Sequence, residues 1–135
     1  MKFKFLEHTA DVKFVAFGKD KEEAFENSAL ALKETICGKA KIKEDRERKI
    51  KVEGKDLESL LYVFLEEILF LLDGENFIIS KVKNLKINGF ALHATIVGDE
   101  TKNYHFTNKV KAITYNDMLI EHDKDKWKIQ AVLDV

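Results

Sequence analysis

The chain has 135 residues, enough for one domain of ordinary size with a true hydrophobic core. Its apolar fraction of 45% and charged fraction of 35% are those of a folded globular protein and exclude an intrinsically disordered one. With 23 basic against 24 acidic side chains the net charge is −1, so the chain lacks the global basic excess of a nucleic-acid binder and direct nucleic-acid binding is not expected.

Taken in chain order, residues 2–6 alternate charged and apolar side chains around Phe3 and Phe5 and read as a strand, not as the apolar segment of a signal peptide. Residues 12–17 read as a second strand closed by Gly18. Asp20 followed by Glu23 resembles a capping box and predicts a helix to about Ile36, with Ala24, Phe25, Ala29, Leu32 and Ile36 on its buried stripe and Gly38 as its stop. Residues 39–51 form a charged connector that merges into a short strand around Ile50 and Val52.

Asp56 caps a second helix, in which Leu57, Leu61, Phe64, Ile68 and Leu72 recur at helical spacing and Asp73-Gly74 ends the run. Glu58, Ser59, Glu66 and Glu67 interrupt it, so no membrane span is expected. Residues 77–87 and 90–97 read as strands joined by the hairpin signal Asn88-Gly89. A polar loop over residues 98–109 is followed by strands at 110–114 and 118–122, a turn at 123–125 and a last strand over 127–135. The order predicts an α+β fold with two helices on a mostly antiparallel sheet. The chain has no proline and hence no Pro-rich linker, and residues 1–135 are expected to form a single domain.

Several chemistries are absent. The six glycines stand singly at turns, no Cys/His spacing suits zinc, and the three serines (Ser28, Ser59 and Ser80) occupy regular elements. The single cysteine, Cys37, excludes an internal disulfide, points to a reducing compartment and fits a small core position at a helix end. These features together predict a cytoplasmic protein that is not an enzyme.

The ends of the chain hold the candidate chemistry. Glu7-His8-Thr9-Ala10-Asp11-Val12 joins the first two strands, and Leu133-Asp134-Val135 finishes the last. If the last strand lies beside the one entered at Asp11, then Asp11, Asp134 and the Val135 carboxylate could share a hard cation, which needs several oxygen ligands. The ordinary alternative is a turn-capping Asp11 and a solvated Asp134. His8 could orient Asp11 or carry a proton, or simply bond a backbone carbonyl, whereas His93, His105 and His122 have no partner identifiable in sequence. The basic run from Lys39 to Lys51 is interleaved with Glu44, Asp45 and Glu47 and reads as a solvated, internally paired connector.

The segment Glu7-His8-Thr9-Ala10-Asp11-Val12 resembles the N-terminal signature of the archease family. Glu22-Glu23-Ala24-Phe25-Glu26-Asn27, Asp56-Leu57-Glu58-Ser59-Leu60-Leu61-Tyr62, Val110-Lys111-Ala112-Ile113-Thr114-Tyr115 and the closing Val132-Leu133-Asp134-Val135 fit the same pattern in the same order. The resemblance implies two helices packed against a mixed, mostly antiparallel β-sheet. It further implies a cofactor of the tRNA-splicing ligase RtcB that promotes ligase guanylylation and multiple turnover. A divalent metal, calcium or magnesium, would be held by Asp11, Asp134 and Val135, with His8 and Glu7 as supporting groups. A chaperone or specificity modulator of other RNA-modifying enzymes, such as tRNA methyltransferases, is the alternative. One departure stands out: Asn116 follows the Thr-Tyr pair where many relatives carry histidine, and an amide cannot titrate.

Overall fold

The computed structural model describes residues 1–7 and 10–135. In chain order the elements are β1 (Phe3–Leu6), β2 (Val12–Gly18), α1 (Lys21–Cys37), β3 (Arg46–Glu53), α2 (Leu57–Glu75), β4 (Phe77–Asn88), β5 (Ala91–Glu100), a 3₁₀ turn (Thr101–Asn103), β6 (Ala112–Asp123) and β7 (Lys126–Asp134). The α+β expectation holds. The strands divide between two sheets, β1-β2-β7-β6 and β3-β5-β4, and every pairing among the described residues is antiparallel.

Both helices begin where side chains satisfy the free backbone donors of a first turn. The Asp20 carboxylate accepts from Glu23 N at 2.8 Å, while the Glu23 carboxylate reaches back to Lys19 N at 2.9 Å. Asp56 and Ser59 form a full capping box, each bonding the other's backbone N–H. The α1 stripe is buried as its spacing predicts, and α2 supplies the centre of the core through Leu60, Leu61, Phe64 and Leu65, all fully buried. Phe25 and Phe64 meet between the helices with ring centroids 6.0 Å apart. Helix α1 packs mainly on β2 and β4, and α2 on β6, β4 and β3, so the helices tie the two sheets together.

Three elements run further than the sequence pattern suggests. β3 begins at Arg46, because its alternate residues Arg48, Ile50 and Val52 pair across to Ile96, Ala94 and Leu92. β5 continues through Gly98 and Asp99 to Glu100, since Phe77, Ile78 and Ile79 of β4 supply partners there. A side chain at Gly98 would put its Cβ 2.0 Å from the Ile78 carbonyl oxygen, so only glycine fits this close approach. The two strands expected over 110–122 are a single strand, β6, whose register against β7 shifts between Thr114 and Leu119. Asp117 takes a left-handed φ of 56° within that bulge.

Candidate functional site

The β2–β7 register brings distant parts of the chain together. Val12 pairs with Leu133, and Ala112 of β6 pairs with Asp134 on the opposite side of β7. Asp11 immediately precedes the first residue of this pairing on β2 and Asp134 immediately follows its last residue on β7. Leu133 is fully buried and anchors this end, Asp134 is exposed, and Asp11 and Val135 are half-buried. The Asp134 carbonyl accepts from Lys111 N at 2.7 Å, which fixes the backbone at the end of the strand. Among the described residues neither Asp11 nor Asp134 enters an ion pair. Two carboxylates on one sheet end repel each other unless a cation joins them.

A groove of about 540 Å³ adjoins this end. Phe5, Leu6 and Val12 give it apolar walls, while Glu7, Asp11 and Glu34 bring three carboxylates to it beside Lys39 and Asn108. The C-terminus of α1 also faces the groove through Glu34, Thr35 and Gly38, and its last turn carries no basic residue, so the negative end of the helix dipole adds to the acidic field. The loop before β6 closes that helix end: Asn108 Nδ2 donates to the Thr35 carbonyl at 3.1 Å, and Thr107 N to the Ile36 carbonyl at 2.8 Å. Gly38, with φ of 63°, supplies the left-handed turn out of the helix.

Sequence-predicted Glu7, Asp11, Asp134 and Val135 therefore lie at one end of the β1-β2-β7-β6 sheet, while His8 lies outside the described residues. Asp11, Asp134 and Val135 carry only oxygen donors, a chemistry that suits a hard cation and not a soft one. Among the described residues no group of three or more His, Cys, Asp or Glu side chains converges at metal-ligand spacing, so two side-chain carboxylates would need main-chain oxygens beside them.

Other candidates resolve into structural roles. Cys37 is buried, its thiol donates to the Lys33 carbonyl at 3.2 Å, and burial pushes its pKa up, all against a reactive thiol. Ser28 Oγ bonds back to the Ala24 carbonyl at 2.9 Å. His122 stacks on Trp127 with centroids 4.4 Å apart. Asn116 is exposed in the β6 bulge, and its backbone N–H donates to Thr114 Oγ1 at 3.0 Å. Beside it Tyr115 stacks on Tyr62 of α2 with centroids 4.5 Å apart.

One polar centre escaped the sequence reading. Asp99 is only 4% exposed and accepts hydrogen bonds from Tyr104 Oη at 2.7 Å and from Glu100 N at 2.8 Å. The Tyr104 hydroxyl, followed by the Glu100 N–H, holds the Asp99 carboxyl below the usual carboxylate range. Tyr104 Oη in turn accepts from Lys43 N at 2.9 Å, so the network latches the 39–45 connector to the end of β5. A single acidic residue in a loop-like polar stretch offers no periodic signal that could have revealed this.

No helix among the described residues is long and apolar enough to cross a membrane. The sequence signature of the Archease protein family (MTH1598/TM1083) matches residues 3–135. The chain is 44% identical to the protein archease of Pyrococcus furiosus, over 96% of this chain and 95% of that one. It is 39% identical to the protein archease of Methanosarcina barkeri, over 98% and 95% respectively. The solution structure of Methanobacterium thermoautotrophicum protein 1598 superposes with a TM-score of 0.86 at 35% identity, covering 99% of each chain. A Thermotoga maritima crystal structure, described as an archease and possible chaperone, shares the fold with a TM-score of 0.65 at 22% identity, covering 98% of this chain and 96% of that one.

Proposed function

The chain belongs to the archease family, and on that premise we propose that it is a non-catalytic protein cofactor that activates the tRNA-splicing ligase RtcB, promoting its guanylylation and multiple turnover. The observation that supports this reading is the Val12–Leu133 pairing, which carries Asp11 and Asp134 to the same sheet end beside a groove rimmed by Glu7 and Glu34. Asp11, Asp134 and a main-chain oxygen of Val135 would hold a divalent cation, calcium or magnesium, with Glu7 and His8 in support. Such an ion, when bound, supplies neutralising charge to phosphate oxygens in nucleotidyl transfer.

The chain's own residues do the rest. Asp134 is exposed and Asp11 half-exposed, so both can be reached by a partner protein. Buried Leu133 and the Lys111 N–H hold the strand end in place, so the carboxylates are presented without a cost in ordering. Glu34 and the α1 terminus extend the negative field towards any cationic or metal-bound surface that docks there. Independent catalysis lacks support in the serine and cysteine contacts, since Ser28, Ser59 and Cys37 are all engaged with backbone.

The test is a single-turnover guanylylation assay of the ligase with and without this protein. Asp11→Ala and Asp134→Ala, each with an unchanged circular dichroism spectrum, are expected to lose the stimulation. Full stimulation by both variants would end this reading.

A second reading, a chaperone or specificity modulator of enzymes such as tRNA methyltransferases, draws on apolar side chains open to solvent. Tyr115 is 53% exposed, Phe70 56% and Leu119 44%. Adding the protein separately to ligase and to methyltransferase discriminates the two, because only the first reading depends on the acidic end.

A further inference from the structure

The β3-β5-β4 sheet has two unlike faces. Arg48, Ile96 and Val82 share the inner face with Ile50 and Ala94, which pack against the core. On the other face Lys49, Thr95 and Lys83 form one cross-strand row, and Lys51, His93 and Lys86 form the next. Lys81 precedes them on β4, paired with Val97. Among the described residues Lys49, Lys51, Lys81, Lys86 and His93 on this face are all exposed, whereas Val97 and Asp99 at the end nearer the connector are buried. Five lysines of β3 and β4 thus flank the stretch of the central strand that turns Thr95 and His93 outward, while the carboxylate of Asp99 further along the same side is buried.

The basic surface continues past the sheet edge. Glu44 bridges to Lys81 at 3.4 Å and Lys83 at 3.8 Å, and the same Glu44 lines a hollow of about 510 Å³ with Lys33, Lys39, Lys41, Lys43 and Ser80. The latch from Tyr104 to Lys43 N holds this connector against the sheet, and Lys33 Nζ donates to the Ala40 carbonyl at 2.6 Å. Glu47 and Glu53 lie at the margins of the face, and no ion pair among the described residues neutralises Lys49, Lys51 or Lys86.

The two arginines of β3 are spent elsewhere, Arg48 on Glu75 and Arg46 on Glu100, both through the other side of the strand. The open face therefore offers ammonium groups alone, which act as point charges on phosphates and lack the planar fork that reads bases or grips one carboxylate bidentately. His93 in the middle strand and exposed Phe90 at the β4–β5 turn add rings on which a base can stack. An acidic protein would match the lysines but has no use for a neutral central stripe with rings.

We propose that this lysine face, with its adjoining hollow, binds the phosphate backbone of a single-stranded nucleic acid without regard to sequence. The near-zero net charge of the chain does not bear on this, because the lysines Lys49, Lys51 and Lys86 stand together in two adjacent cross-strand rows with Glu47 and Glu53 only at the margins. The proposal is independent of ligase activation, and its test contains no ligase.

The test is fluorescence anisotropy with a labelled, unstructured 15-nucleotide oligouridine RNA and its oligothymidine DNA counterpart, from 50 to 200 mM salt. Binding is expected for both, with log K falling linearly against log salt. The triple change Lys49→Glu, Lys51→Glu, Lys86→Glu is expected to weaken binding at least about tenfold at the lowest salt and to lower the salt slope by about 2, as loss of three phosphate contacts requires. The triple change to Gln serves where the reversal disturbs folding, with a smaller loss and the same change of slope. A matched reversal at Lys19, Lys109 and Lys124 is expected to leave most of the affinity.

Four results would overturn the proposal. No binding at 50 mM salt would leave the lysines as guards of two exposed sheet edges. Equal losses in both reversal variants would reduce the effect to net charge. A polyglutamate peptide competing as well as the oligonucleotide would assign the face to an acidic protein. Strong preference for one base composition across further oligonucleotides would contradict the point-charge argument.

Discussion

The strand end formed by β2 and β7 and the open face of β3-β5-β4 are built from the same kind of ladder but carry opposite charge. At the first, Asp11 lines a groove with Glu7 and Glu34 at the sheet end where Asp134 closes β7, with no basic residue in the last turn of the helix that points there. At the second, lysines from β3 and β4 stand on either side of His93 and Thr95 of β5. A net charge of −1 averages the two and describes neither. The difference shows that charge separation in this chain is produced by strand pairing, since neither pole exists as a contiguous run of sequence.

Exchanging the poles is the strongest way to break the comparison. Asp11→Ala with Asp134→Ala is expected to lower ligase guanylylation at least about tenfold, equivalent to about 1.4 kcal/mol, and to leave oligonucleotide affinity unchanged or slightly raised. The lysine-face triple is expected to do the reverse in an RNA-free guanylylation assay. If either set of changes abolishes both readouts while the fold persists, the poles are not separate devices.

The next effect concerns the latch that carries the basic connector. Asp99 is held below the usual carboxylate range in the folded protein, so its contribution is complete above the unfolded value of about 4 and is lost as pH falls through the lower folded value. Asp99→Asn is expected to lower the melting temperature by several degrees at pH 7 and to shrink the loss between pH 5 and pH 3. Thermal scans across that range check it, and an unaltered acid limb would show that other carboxylates control it.

Smaller changes sharpen the boundary between the poles. Asn108→Ala removes one hydrogen bond from the α1 terminus at the acidic groove and is expected to cost about 0.5–1.5 kcal/mol in urea unfolding. Glu75→Gln, which only breaks the exposed pair with Arg48, is expected to cost less than about 1 kcal/mol, and high salt should erase the difference.

Much of the fold is legible where local chemistry decides. The caps at Asp20 and Asp56, the stop at Gly38 and the Asn88-Gly89 turn are all signalled by neighbouring residues. Features set by tertiary partners are not. Asp99 reads as loop because its neighbours are polar, yet β4 extends the ladder through it by pairing Ile78 with Asp99 and Phe77 with Glu100. The bulge in β6 looks like a break between strands, because periodicity fails there while pairing with β7 resumes beyond it. The lysines of residues 39–51 appear self-neutralised in sequence because Glu44, Asp45 and Glu47 are interleaved with them, but alternation sends Arg46 and Arg48 to one face and leaves Lys49 and Lys51 on the other with Glu47 at its margin. At the candidate site, the residue types at both ends of the chain are visible in sequence, but their proximity depends on which strand β7 joins.

That last dependence has a kinetic meaning. Val12 and Leu133 are 121 positions apart (133 − 12), among the widest separations the chain can close. A ladder of this kind forms late, because the long intervening loop must already be shortened by helices and hairpins before closure becomes favourable. The meeting of the two strand ends that carry Asp11 and Asp134 is thus a product of finished assembly. A partially folded chain would display its hairpin lysines while its acidic end was still dispersed.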